Sequence, residues 1–128
     1  MTDTAVEQED TDMRYQLLIH TDESQETALS PGESTTMNEA YTAFVEEANA
    51  AGVLRGGERL QPTSTATTVR VRDGETLTTD GPYAETKEQF AGFFIVDCPD
   101  LDAAISWASR VPGALHGAIE VRPIWEMA

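Results

Sequence analysis

Two hydrophobic rhythms alternate along this chain from residue 13 onward. In "RYQLLIH", residues 14–20, Tyr15, Leu17 and Ile19 share one parity while Arg14, Gln16 and His20 share the other, the period of a strand. The polar stretch "TDESQETA" reads as a loop. "SPGE" at residues 30–33 opens a helix: Ser30 caps it, Pro31 takes the first helical position and Glu33 completes a capping box. Met37, Tyr41, Phe44, Val45 and Ala48 then fall on one helical face, and Gly52 ends the run. "VLRGGERLQP" gives a short strand interrupted by Gly56 and Gly57, the mark of a bulge.

The clearest local signal is "TATTVRVRDGETLTTD". Asp73-Gly74 between two alternating runs predicts a two-residue type I′ hairpin, with Arg72 opposite Glu75. "FAGFFIVDC" is a strand apolar on both faces. "PDLDAAISWASRV" is a second helix, capped by Asp100, with Leu101, Ala104, Ile105 and Ala108 expected to face inward. "GAIEVRPIWEM" closes as a strand with Ile119, Val121 and Trp125 on one face and Glu120 and Arg122 on the other. Pro123 places that strand at an edge or ends its pairing.

The resulting plan is α+β: βαββαβ with one extra β-hairpin. Two helices cover only one face of such a sheet, yet Phe93, Phe94, Ile95 and Val96 form a run expected where both faces are covered. The cover predicted here is a second copy of the chain, packed sheet to sheet as a homodimer. The alternative is that the hairpin or the C-terminal residues fold back over the second face.

Composition narrows the class without naming a reaction. The 128 residues suit one domain, residues 13–128, preceded by an acidic tail at 1–12 that carries five acids and no base and is expected to be disordered. The net charge of −15, from 23 acidic and eight basic residues, repels nucleic acid and anionic membranes, so neither is expected as a partner. Acids with a single lysine suit a high-salt cytoplasm, although a GC-rich genome gives the same preference for arginine. One cysteine, Cys98, excludes an internal disulfide and a CxxC motif. An acidic N-terminus and the lack of an 18-residue apolar run point to a cytoplasmic protein.

Candidate chemistry gathers in two places. His20 and Arg122 sit on the strand parity that faces the expected dimer side. A polar group there must be hydrogen-bonded or wet, which suggests a partly solvated cavity. His20 is the one strand histidine, a candidate proton-transfer group, although a strand-end histidine can simply face solvent. The second place is "TTDGPYAETKEQF". Asp80, Gly81 and Pro82 have the composition of a tight turn. Asp80, Glu85 and Lys87 either form a solvated charge cluster or carry charge to the cavity mouth, where a carboxylate beside the chain's only lysine can exchange protons. His116 reads as a loop residue, and Cys98 as a small core residue. No GxSxG, Walker A or dinucleotide fingerprint is present, and no metal site or cofactor is expected.

The same residues carry a family resemblance. Asp80-Gly81-Pro82-Tyr83, its continuation "AETKEQF", and the helix and strand that follow resemble the DGPF proteins, a branch of the YCII-related family, over about residues 13–128. Tyr83 stands where the family's tetrapeptide has phenylalanine, keeping the ring and adding a hydroxyl. The resemblance implies a ferredoxin-like fold that dimerises through its sheets as a dimeric α/β barrel. It delivers no reaction: YCII-type relatives have been suspected of enzymatic activity because of a histidine–aspartate pair in a cleft, and no position here matches that pair securely. Genes of the family often lie near alternative sigma factors, which implies a regulatory setting.

Two functions from different classes follow. One is a small-molecule site between protomers, binding or catalytic, with Asp80 and His20 as proton-transfer groups and Tyr83, Glu85, Lys87 and Arg122 holding the ligand. The other is a non-catalytic module whose acidic surface docks a basic protein partner such as a transcription regulator.

Overall fold

A computed structural model describes residues 12–126. Apart from Asp12, the expected acidic tail lies outside these residues. The chain begins with β1 (Met13–Thr21), a short α1 (Glu23–Thr27) and the long α2 (Pro31–Ala50). The second strand, β2 (Leu54–Arg59), leads through a single 3₁₀ turn at Thr63–Thr65 to the hairpin of β3 (Thr67–Arg72) and β4 (Glu75–Asp80). The long β5 (Gln89–Cys98), α3 (Leu101–Arg110), a 3₁₀ turn at Pro112–Leu115 and β6 (Ala118–Pro123) complete it.

Four strands form one antiparallel sheet in the order β2-β5-β1-β6, with the hairpin as a separate two-stranded sheet. This is the ferredoxin-like α+β arrangement, with the hairpin inserted between β2 and β5. One parity of β1 (Tyr15, Leu17, Ile19) is buried, together with Val96 and Cys98 from β5. Phe44 and Ala48 of α2, and Ala104 and Ala108 of α3, close over them. Phe44 holds this core: its ring meets Phe94 at 4.8 Å and Trp107 edge-on at 6.2 Å.

Local chemistry explains the element boundaries. The Ser30 hydroxyl accepts from Glu33 N–H at 3.1 Å while the Glu33 carboxylate accepts from Ser30 N–H at 2.9 Å, with Pro31 at the start of the helix. Asp100 accepts from Ala103 N–H at 2.9 Å. The hairpin turns at Asp73 (φ 53°) and Gly74 (φ 79°), the left-handed pair that a type I′ turn needs, and Arg72 faces Glu75. The register of β2 shifts between Leu54 and Gly56, so the bulge falls at Arg55, just before the two glycines, which pair regularly with Ile95 and Phe94. Pro123 ends β6 on the outer edge of the sheet, where its missing N–H costs no ladder bond.

Three expectations need correction. The stretch read as a polar loop contains α1, because Asp22 caps it, accepting from Ser24 N–H at 2.9 Å. In α3, Leu101 and Ile105 are about half exposed, and the inward face is Ala104 and Ala108 with Ala103 and Trp107 beside them. Small side chains there let the helix sit close to the sheet, rotating the larger pair outward. Trp125 lies past the end of β6 and is 87 % exposed instead of continuing the inward face of Ile119 and Val121.

Among the described residues no helix lies over the other sheet face. Leu18, Phe93 and Ile95 point that way and are only half-buried. The hairpin strands pair only with each other and leave Val69, Val71 and Leu77 exposed, so they do not shield it. Among the described residues, the C-terminus reaches this side at its margin, where Arg14 clasps the Glu126 carboxylate through Nε at 2.8 Å and Nη2 at 3.0 Å.

Candidate functional site

The open face acquires its chemistry from register. His20 pairs with Phe90 on β5 and with Ala118 on β6, while Leu18 pairs with Phe93 and Glu120, and Gln16 with Ile95 and Arg122. Strand alternation then places His20, Glu120 and Arg122 on the same side. His20 Nε2 lies 3.4 Å from Glu120 Oε1, and Arg122 Nη2 donates to Glu120 Oε2. This is a three-member chain from guanidinium through carboxylate to imidazole. The hydrogen bond from Arg122 holds the Glu120 carboxyl below the usual carboxylate range, with His20 acting in the same direction. Glu120 therefore stays ionised and faces His20 with a fixed negative charge.

A bulge sets the apolar part of the site. Ile19 pairs with Gly92 and His20 with Phe90, so Ala91 is the extra residue on β5. Without it, the alternation would send Phe90 to the helix side; the bulge returns its ring to the side of His20, 5.6 Å away.

At this end of the sheet lies an open cavity of about 630 Å³, bounded by His20, Phe90, Leu60, Pro62, Pro82 and Tyr83. Its outer wall is the Asp80-Gly81-Pro82-Tyr83 turn. Gly81 adopts φ 102°, a left-handed value that a side chain would strain, and its N–H donates to Ala66 O at 2.8 Å. The Tyr83 ring is 77 % exposed, and the guanidinium carbon of Arg70, on the hairpin, sits 5.3 Å above it. The deciding comparison is with the YCII-related domain, whose family model matches residues 13–128.

The chain belongs to the YCII-related family. An uncharacterised protein of Rhizobium meliloti strain 1021 is similar to it, 40 % identical over 114 residues that cover 88 % of this chain and 92 % of that protein.

In this YCII-related chain the expected site residues part company. His20 and Tyr83 line the cavity, and Arg122 acts one residue removed, through Glu120. Asp80, Glu85 and Lys87 are exposed and do not line it. Asp80 ends β4 opposite Thr67. Lys87 lies within electrostatic reach of Asp22 and helps to hold that carboxyl low, although hydrogen bonds from Ser24 do most of it.

Several residues of the candidate site are not apparent from the sequence. Glu120 was placed on the correct face but not joined to His20, because the diagonal offset between β1 and β6 is set by tertiary pairing. Glu23 and Gln89 brace the cavity walls. The Glu23 carboxylate accepts from Thr63 N–H and the Thr63 hydroxyl, both at 2.7 Å, while Gln89 Oε1 accepts from Glu23 N–H at 2.9 Å. The cue available in the sequence for Gln89 was its position at the entry to the longest apolar strand. Among the described residues no group of three or more His, Cys, Asp or Glu side chains is arranged to hold a metal ion. Among the described residues no helix is long and apolar enough to cross a membrane.

Proposed function

We propose that this protein is a homodimer, joined through the open faces of its sheets, that binds and chemically transforms a small organic molecule beside His20. The observation that carries the reading is the His20–Glu120–Arg122 chain, which ends at a cavity of about 630 Å³ walled by Phe90, Tyr83 and prolines. That volume lies within the range of about 300–1,000 Å³ of small-molecule clefts, and its rings and prolines are interleaved with polar side chains, Gln61, Thr63, Glu88 and Gln89 among them, that can orient a ligand beside His20. A carboxylate behind an imidazole fixes its orientation, the arrangement needed for proton transfer at a bound substrate. His20 is the proton-transfer group, Glu120 and Arg122 position it, and Tyr83 and Phe90 take the apolar body of the ligand.

The second protomer completes the enclosure. Half-buried Leu18, Phe93 and Ile95 gain cover there. Native purification followed by mass spectrometry and crystallography tests the reading. A small molecule retained by the wild type, with density against His20, is expected to be lost in His20→Asn at unchanged melting temperature. A wild-type crystal empty at His20, together with a fragment screen that moves no resonance around the cavity, would overturn it.

The net charge of −15 favours a second reading, in which the acidic surface docks a basic protein. Salt separates the two: docking weakens steeply between low and moderate ionic strength, while an enclosed neutral ligand responds little.

A further inference from the structure

A second cavity, of about 240 Å³, lies on the opposite side of the sheet, under α2 and against the β2–β5 edge, and shares no lining residue with the cavity at His20. Its body is apolar: Ile19, Met37, Tyr41 and Phe94 form the walls, with the Tyr41 and Phe94 rings stacked at 6.5 Å. Its volume sits just below the usual range of ligand clefts, about 300 Å³ upward, which limits an occupant to one ring or one branched chain with a short polar head.

Glu26, Glu58 and Arg59 line the cavity, but Glu58 pairs with Phe93 on the strand parity of the open face, so the lip on this side is left with two opposite charges. Glu26 and Arg59 line both this cavity and the shallower groove that continues from it. Glu26 Oε1 accepts from the Thr21 hydroxyl at 2.9 Å, and among the described residues its other oxygen has no partner. Arg59 makes no hydrogen bond or ion pair among the described residues, with Glu26 or with anything else. Of the seven arginines, Arg14, Arg55 and Arg122 pair with carboxylates, Arg70 and Arg110 lie over aromatic rings, and Arg72 donates to Val71 O, which leaves Arg59 as the one whose guanidinium has no partner among the described residues. A free carboxylate and a free guanidinium that share an apolar mouth without meeting each other are complementary to a molecule carrying both an ammonium and a carboxylate.

The geometry points to a second ligand site that takes a free α-amino acid with an apolar side chain. The ammonium group donates to Glu26, the carboxylate accepts from Arg59, and the side chain enters between Met37, Tyr41 and Phe94. This site is independent of the one beside His20.

The test is titration of the full-length protein with phenylalanine, followed through backbone amide resonances. Phenylpropionate, which lacks the ammonium, and phenethylamine, which lacks the carboxylate, serve as controls. Phenylalanine is expected to shift Met37, Tyr41 and Ala91, and to bind more tightly than either control. Glu26→Gln, which keeps an acceptor for Thr21, and Arg59→Gln are each expected to weaken binding about fivefold, the effect of one partly exposed charge pair. His20→Asn should leave it unchanged. Equal binding of phenylpropionate or phenethylamine, no loss in either charge variant, or shifts confined to His20, Phe90 and Tyr83 would each overturn the assignment. So would the absence of any shift with both phenylalanine and leucine at saturation.

Discussion

Ile95→Asp separates a sheet-to-sheet dimer from a monomer with an open face. Ile95 lies in β5, opposite Gln16 on one side and Gly56 on the other, so its side chain stands near the middle of the uncovered face. A stable interface of ordinary size hides about 800 Å² per partner, roughly a tenth of a small protein's surface, and this chain exposes 8990 Å². Ile95 would be central in such a patch. An aspartate there is buried without a counter-charge, at a cost of about 3 kcal/mol. Two-fold symmetry places one from each protomer in the same interface, about 6 kcal/mol together, which weakens the dimer by about 10⁴-fold.

Sedimentation velocity across a concentration series reads the effect directly. The wild type is expected at twice the chain mass of 13.9 kDa and Ile95→Asp at the chain mass itself. Leu101→Asp, on the exposed side of α3, is the control and should remain dimeric. Raising salt should tighten the wild-type dimer, because each copy carries −15 and screening relieves their repulsion. A wild type that stays monomeric at every concentration, or an Ile95→Asp variant that dimerises as tightly as the wild type, would refute the reasoning.

Two further outcomes concern stability. Phe44→Ala removes a ring that is 2 % exposed and wedged between Phe94 and Trp107, and is expected to cost about 3–5 kcal/mol in denaturant unfolding; a loss below about 1 kcal/mol would mean that the core closes without it. Ser30→Ala should cost about 1 kcal/mol at neutral pH. The N–H of Ser30 and, after it, the Ser30 hydroxyl hold the Glu33 carboxyl below its ordinary range; the hydroxyl's share, the part Ser30→Ala removes, is present above the unfolded glutamate pKa of about 4.3 and fades as pH falls through the lower folded value. The gap between Ser30→Ala and wild type should therefore narrow in acid, and a gap that widens there would contradict the capping box.

What the sequence revealed was what neighbouring residues decide among themselves. Ser30, Pro31 and Glu33 close a box within four positions, and Asp73-Gly74 fixes a turn and thereby the facing of Arg72 and Glu75. The parity of Tyr15, Leu17 and Ile19 also declared the buried side of β1. The misreadings arose where distant chain segments decide. One turn of helix at Glu23–Thr27 has no periodicity to detect and is fastened by Thr63 and Gln89 from far along the chain. In α3 the more hydrophobic Leu101 and Ile105 lost the inward face to alanines, because close approach to the sheet rewards small size. At the site, alternation put His20 and Arg122 on one face, but the joining of both through Glu120 depends on the β1–β6 offset. The charges of Asp80, Glu85 and Lys87 suggested a mouth, whereas the turn presents Pro82 and Tyr83 to the cavity and leaves those three in solvent.

The hairpin's hydrogen bonds close only on themselves, and a lone two-stranded ribbon is at best marginally stable in water. Yet the Arg70 carried by that ribbon rests on Tyr83, the outer wall of the cavity at His20. Floor and wall of the same chamber are thus fastened differently: the floor belongs to the four-stranded sheet, while the wall leans on an appendage. The dwell time of anything lodged beside His20 would then be set by β3 and β4, two strands that never touch the imidazole.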